Sequence, residues 1–182
     1  MTRSHVSLPT LSDGRVVLRA AEPRDLAAIE VGIHDPDVVR WIGPPERSAQ
    51  VVLARNQERW AHGSPTLSIC TPDGTFVGLV WLNVHESDRS TGSVGYWLLP
   101  AGRGRGLATS AVRLLATWAI RELGVTNLRL TTAPDNPRSQ RVAERSGFRR
   151  LRPAPGESLD DPEVRQVVYV LDGSTAGEDI AH

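Results

Sequence analysis

Hydrophobic residues in the first half of the chain recur with two different spacings. Between residues 26 and 33 they lie three or four positions apart, which is the spacing of one face of a helix. The run 76–84 is almost continuously apolar, as a buried central strand is. Before it, apolar residues alternate with polar ones in the strand-like run 66–71, and a shorter apolar run follows at 94–99. With a Pro-Asp-Gly turn at 72–74, the pattern predicts an antiparallel meander of three strands after a helical segment.

Helix and strand patterns alternate in the second half of the chain. Apolar positions from 107 to 123 define one broad helical face, and Gly124 is a natural helix stop. A strand is predicted near Leu128, and Asn136 followed by proline is a typical helix start. The run 167–171 predicts a final strand. This order of elements predicts an α/β fold with a mixed sheet flanked by helices.

Length and composition are those of one soluble domain. We expect a flexible arm over residues 1–12, a single domain over 13–172 and a disordered tail over 173–182. The 21 basic side chains, all arginine, balance 21 acidic ones, so no overall field favours nucleic acid or an anionic membrane. No apolar stretch approaches the roughly 20 residues of a membrane span, and no signal-peptide core is present. A cytoplasmic protein is therefore expected.

Cysteine and histidine give no sign of metal or disulfide chemistry. Cys70 is the single cysteine, and its place in a strand-like run predicts a small buried side chain rather than a nucleophile. The five histidines are scattered, without a pair at ligand spacing. We therefore expect no metal site.

The clearest chemical signal is the loop Arg103-Gly104-Arg105-Gly106-Leu107-Ala108, which joins an apolar strand to a long helix. Amides at a helix start lack intrahelical partners, the helix dipole adds partial positive charge, and glycine lets the backbone approach a phosphate closely. The loop therefore predicts an anion site. It is not a P-loop, since the chain has no lysine, and it lacks the third glycine of a dinucleotide fingerprint. A solvated connection and a short RNA-binding fragment are the alternatives, and the neutral charge disfavours the second.

Three groups of residues, in this order and spacing, resemble the GCN5-related N-acetyltransferases (GNAT), and within them the RimJ/RimL-type ribosomal-protein N-acetyltransferases. The resemblance spans roughly residues 14–171. The first group is Gly95-Tyr96-Trp97 with Pro100, followed by Arg103-x-x-Gly106-x-Ala108, which matches the family's acetyl-CoA loop Q/R-x-x-G-x-G/A. The second is Asn136-x-x-Ser139 followed by Gly147-Phe148. The third lies near the start of the chain and consists of Leu18-Arg19, Asp25-Leu26 and Asp35-Pro36.

The resemblance implies a GNAT-like, mostly antiparallel sheet that is splayed between the strand before Arg103 and the strand near Leu128. Acetyl-CoA would be the co-substrate, with its pyrophosphate on the glycine-rich loop and its pantetheine arm in the splayed gap. Asn136 would contact that arm or act only as a helix cap. The residues implied for acetyl-CoA are Leu98, Leu99, Arg103, Gly104, Arg105, Gly106, Leu107, Ala108, Thr109, Asn136 and Ser139.

Catalytic residues are harder to place. Many family members use a tyrosine, seven residues after the motif's asparagine, to protonate the leaving thiolate, but this chain has Ala143 there. The subfamily pattern suggests the Ser139 hydroxyl instead, unless it only satisfies helix amides. His85 and Glu86, at the end of the long apolar strand, are the candidates for a general base. Both could equally be turn residues, with water taking the proton.

The implied activity is acetyl transfer to a primary amine by direct attack in a ternary complex. The acceptor would be a protein N-terminus or a small amine, chosen by residues 34–60 and the turn 85–91. We expect a monomer or a homodimer that binds neither nucleic acid nor membrane. The alternative is a non-catalytic acyl-CoA-binding sensor. The family's tyrosine is missing, and Thr91 and Ser93 stand where related enzymes often place a glutamate, on the strand before Gly95.

Overall fold

The computed structural model describes residues 10–44, 48–151 and 166–173, and within them eight strands form one sheet. The strands lie side by side in the order β1-β2-β3-β4-β5-β6-β8-β7. In chain order they are β1 (Leu11–Ser12), β2 (Val17–Ala20), β3 (Thr66–Cys70), β4 (Phe76–Val84), β5 (Thr91–Leu98), β6 (Asn127–Thr132), β7 (Arg149–Arg150) and β8 (Val167–Asp172). The predicted antiparallel meander is β3-β4-β5.

Helices cover both faces of this sheet. They are α1 (Leu26–Ile33), α2 (Pro36–Ile42), α3 (Ala49–Ala61), α4 (Leu107–Leu123) and α5 (Pro137–Arg145). Helix α4 buries Ala111, Val112 and Leu115 against one face because these positions share one side of the helix. On the other face Trp97 packs in the α1 cluster, so closely that a side chain at Gly32 would overlap its ring.

The sheet opens between its two parallel neighbours, β5 and β6. They pair only over Thr91–Ser93 and Asn127–Arg129. Beyond that point β5 continues on β4 as far as Leu98, and β6 continues on β8 as far as Thr132. The two strands therefore diverge towards their carboxyl ends. The predicted fold, mostly antiparallel and splayed at this place, is confirmed.

A buried ion pair fastens the start of α1 to the sheet. Arg19 on β2 donates from both terminal nitrogens to Asp25, over 2.7 and 2.8 Å. The Ser68 hydroxyl and the Glu22 amide also donate to this carboxylate, which is 2% exposed. Burial alone would raise the pKa of Asp25, but the arginine and these donors lower it. Arg19 and Asp25, which belong to the early part of the family pattern, thus hold α1 against the sheet.

The ends of the predicted domain lie partly outside the described residues. Residues 1–9 and 174–182 are among those not described, so the proposed arm and tail stay predictions. Leu11–Ser12 pairs with β2, which puts ordered chain before residue 13. At the other end, the Gly173 amide donates to the Thr126 carbonyl (2.7 Å). No helix within the described ranges is both long and apolar enough to span a membrane.

Candidate active site

The strand that precedes the glycine-rich loop turns backbone groups into the splayed gap. The Leu99 amide donates to the Val77 carbonyl (2.9 Å), so Leu99 faces β4. Backbone groups alternate in direction along a strand, so those of Val94, Tyr96 and Leu98 face β6, beyond the end of the β5–β6 ladder. Of the two residues expected to hold pantetheine, Leu98 has the required orientation and Leu99 does not. Sequence reasoning missed Val94 and Tyr96.

The glycine-rich loop ends in unpaired amides at the start of α4. Gly104 and Gly106 have φ of +73° and +76°, a left-handed conformation that glycine adopts readily. The first helix-closing bond runs from the Ser110 amide to the Gly106 carbonyl (3.1 Å), so the amides just before Ser110 lack intrahelical partners. Arg15 braces the loop by donating to the Arg105 carbonyl (2.9 Å). The loop therefore carries unpaired amides at a helix start, and binding of an anion in this cradle stays a prediction.

The side chain of Arg103 is engaged within the protein. Its Nε donates to the Leu98 carbonyl (3.0 Å), one terminal nitrogen donates to Asp37 (2.8 Å), and the other donates to Asp35. Asp35 also caps α2, accepting from the amides of Asp37 and Val38. We expect this guanidinium to contact phosphate; in the structure it ties α2 to the loop, so a phosphate would have to compete with two carboxylates for it.

Removing the Arg103 side chain is expected to destabilise the fold by about 1.5–3 kcal/mol, the range for hydrogen bonds to charged groups. Burial alone would raise the pKa of Asp35, but Arg103 and the α2 amides hold it below its ordinary 3.8. The stabilisation is therefore complete above that pH and is lost as pH falls through the lowered pKa. In urea unfolding, the stability difference between wild type and Arg103→Ala should be largest at pH 7 and smaller in acid, where the bond from Nε to the Leu98 carbonyl remains.

The matched control is Arg105→Ala. Arg105 lies two residues away in the same loop, and its guanidinium reaches the Ala101 carbonyl at 3.4 Å. Its removal should change stability little at any pH, because the site is exposed. A stability difference for Arg103→Ala that stays constant from pH 7 into strong acid would contradict the assigned ion pair.

The first turn of α5 lies across the gap from β5. Asn136 caps the helix by accepting from the Ser139 amide (3.1 Å), and Pro137 occupies the first helical position, as the sequence predicts. The Tyr96 hydroxyl on β5 reaches the Ser139 hydroxyl at 3.3 Å. Burial raises the pKa of Tyr96 despite this bond, so its phenol is neutral. Ser139 thus has a hydroxyl partner that the sequence did not reveal.

These elements enclose one open cavity of about 660 Å³. Most of the residues implied for acetyl-CoA line it, whereas Leu99 and Arg105 do not. The implied residues in its lining are Leu98, Arg103, Gly104, Gly106, Leu107, Ala108, Thr109, Asn136 and Ser139.

The two candidate bases are not brought to this cavity. His85 and Glu86 follow Val84, which pairs with Gly92 at the closed end of β5, and both side chains are exposed. Neither lines the cavity, and the turn they belong to does not either. Of the described residues that line the cavity, only Asp37 carries a carboxylate, and that carboxylate accepts a hydrogen bond from Arg103. Within the described ranges no three His, Cys, Asp or Glu side chains group as a metal site would need.

Further residues line the cavity, and one of them, Trp41, lies in the segment 34–60 that is expected to choose the acceptor. Trp41 on α2 and Trp81 on β4 line the cavity, and the Arg40 guanidinium lies 4.3 Å from the Trp41 ring centroid. Three exposed arginines of α5 line it too, at helical spacing that could have revealed their shared face: Arg138, Arg141 and Arg145.

Two curated proteins that resemble this chain in sequence are described as acetyltransferases. YdaF of Bacillus subtilis (strain 168), by its description a candidate ribosomal N-acetyltransferase, is 33% identical over 98 residues, which are 54% of this chain and 48% of YdaF. The match thus spans about half of YdaF. L-2,4-diaminobutyric acid acetyltransferase of Streptomyces coelicolor is 31% identical over 128 residues, 65% of this chain and 75% of that enzyme.

Solved structures share the whole architecture. An acetyltransferase from Agrobacterium tumefaciens str. C58 is 25% identical with a TM-score of 0.74, over 94% of this chain and 98% of that one. Other neighbours, under 25% identical and alike in fold alone, were solved with acetyl-CoA or coenzyme A bound. Residues 15–149 match the acetyltransferase (GNAT) domain family, which confirms the resemblance to that family. The chain belongs to the GNAT family of acetyltransferases.

Proposed function

We propose that this protein transfers an acetyl group from acetyl-CoA to a primary amine. The observation that carries the proposal is that the unpaired amides at the start of α4 and the splayed gap open on one cavity. A ligand with a diphosphate and an extended arm of amides fits this pair of features. The diphosphate would accept from the α4 amides, and the arm would pair with the free groups of β5.

The residues around the gap fit acyl transfer in one ternary complex. The amine nitrogen attacks the thioester carbonyl carbon, the carbon–sulfur bond breaks, and the sulfur gains a proton. A β5 amide that faces the gap, at Val94, Tyr96 or Leu98, would donate to the carbonyl oxygen as negative charge develops there. The Ser139 hydroxyl would supply the proton to the sulfur.

The acceptor would enter beside α2, where Trp41 and Trp81 line the cavity. A protein N-terminus and a small amine both suit the relatives, since YdaF is described as a candidate ribosomal N-acetyltransferase and the Streptomyces enzyme acts on L-2,4-diaminobutyric acid. Because His85 and Glu86 lie away from the cavity, we propose that water takes the amine proton, so the acceptor must arrive largely neutral.

Calorimetry with acetyl-CoA, followed by thiol-release assays, tests this proposal. We expect stoichiometric binding and turnover with at least one acceptor among a serine-initiated peptide, L-2,4-diaminobutyrate and spermidine. Dephospho-CoA should show how much the 3′-phosphate adds to binding. A folded protein that does not bind acetyl-CoA would refute the donor site.

The alternative is an acyl-CoA-binding sensor. The observation in its favour is that no carboxylate or imidazole among the described lining residues is free to act as a base, since Asp37 is bonded to Arg103. A sensor would bind acetyl-CoA with the same stoichiometry and release no thiol with any acceptor. Binding and turnover measured on one preparation therefore separate the two functions.

A further inference from the structure

We infer that Tyr96 is a positioning residue that orients the Ser139 hydroxyl towards the sulfur of acetyl-CoA. The inference rests on the proposed acetyl transfer and gives the Tyr96 hydroxyl a role in it. Tyr96 lies on β5 beyond the end of the β5–β6 ladder, and its hydroxyl meets Ser139 across the gap at 3.3 Å. Both residues line the cavity.

The rest of the Ser139 residue is already fixed. Its amide donates to the Asn136 side chain at 3.1 Å, which holds the first turn of α5 in place. Rotation about the Cα–Cβ and Cβ–Oγ bonds is then the freedom that remains to the hydroxyl. A serine hydroxyl has one proton to donate and two lone pairs that can accept. A bond from Tyr96 engages the hydroxyl and so restricts these two rotations.

The chemistry of the pair sets the direction of the bond. A phenol is a better hydrogen-bond donor than an alkyl alcohol, and burial keeps Tyr96 in its neutral form. Tyr96 therefore donates and Ser139 accepts. The proton of Ser139 is then left to point at another acceptor in the cavity, which in the proposed reaction is the leaving sulfur.

The proton transfers of this step balance while the Tyr96 phenol stays neutral. As the amine nitrogen bonds to the carbonyl carbon and the carbon–sulfur bond breaks, the Ser139 O–H proton passes to the sulfur. A water molecule takes the proton of the attacking nitrogen and passes it to the second lone pair of Ser139, which restores the hydroxyl. Tyr96 keeps its own proton throughout and acts through the bond it donates.

A double-mutant cycle of Tyr96→Phe and Ser139→Ala tests the inference, with acetyl-CoA and the best acceptor of the three-compound panel. Tyr96→Phe keeps the ring and removes the hydroxyl. Its kcat should fall about three- to tenfold, the equivalent of one ordinary hydrogen bond, while KM for acetyl-CoA stays constant. In the Ser139→Ala background the same change should have no further effect, because the bonded partner is gone.

Tyr169→Phe is the matched control. Tyr169 lies on β8, its hydroxyl donates to Glu144 at 3.2 Å, and it does not line the cavity. Its kcat should match that of the wild type. If Tyr96→Phe lowers kcat equally in both backgrounds, or raises KM for acetyl-CoA instead, Tyr96 only shapes the gap and the inference is wrong. A wild type that binds acetyl-CoA without turnover would overturn the proposed function, and this role with it.

Discussion

Gly106→Val is expected to weaken acetyl-CoA binding at least about a hundredfold, the loss of one or two charge-assisted hydrogen bonds. Gly106 has φ of +76° at the cap of α4, where valine is strained, so the loop must move or the helix start must refold. A side chain there would also meet the Arg15 guanidinium at 3.2 Å, the group that braces the loop. Either response displaces the amides that would face the diphosphate.

Calorimetric titration with acetyl-CoA measures this effect, and Gly124→Val is its control. Gly124 ends the same helix with φ of +71° and open space around it, so the two substitutions share the backbone strain. Gly124→Val should lose a comparable amount of stability and keep its affinity for acetyl-CoA. Equal affinities for folded Gly106→Val and wild type would contradict the cradle.

Ser139→Ala is expected to lower kcat about ten- to a hundredfold, the weaker end of general acid catalysis. The substitution removes the proton donor from the cavity and leaves the helix cap intact, because Asn136 accepts from the backbone amide of residue 139 and not from its side chain. KM for acetyl-CoA and the melting temperature should therefore change little. Steady-state kinetics with an acceptor from the panel gives both constants.

The control for this serine is Ser90→Ala. The Ser90 hydroxyl donates to Asp88 in the turn that follows β4, outside the cavity. Its kcat should equal that of the wild type. Turnover of Ser139→Ala at the wild-type rate would remove Ser139 from the mechanism, and Tyr96 would then have no group to orient.

The sequence predicted those parts of the site that depend on neighbours along the chain. Gly106 at a helix start, the Asn136 cap and the Pro137 that follows it are signals carried by a few adjacent residues. The long apolar run of β4 and the apolar face of α4 are also patterns within short stretches of the chain. The helices and the meander were therefore predictable from local patterns, whereas the splay of the sheet was predicted from the resemblance to the family.

Long-range contacts were not accessible in this way. Ser139 and its partner Tyr96 are 43 positions apart, and Arg103 lies 68 positions from Asp35. A single sequence contains no signal for such pairs. Neither the ion pair of Arg103 nor the bond from Tyr96 to Ser139 is therefore predictable from the sequence.

The amino-acid sequence by itself determined the elements, their order and the glycine-rich loop at the start of α4, because spacing and capping act within one or two turns of chain. Only the tertiary structure decided which backbone groups face the gap, that His85 and Glu86 lie away from the cavity, and that Tyr96 meets Ser139. Those outcomes depend on the register of β5 against β4 and on where β6 leaves the ladder. Both are set by the packing of the whole sheet against its helices.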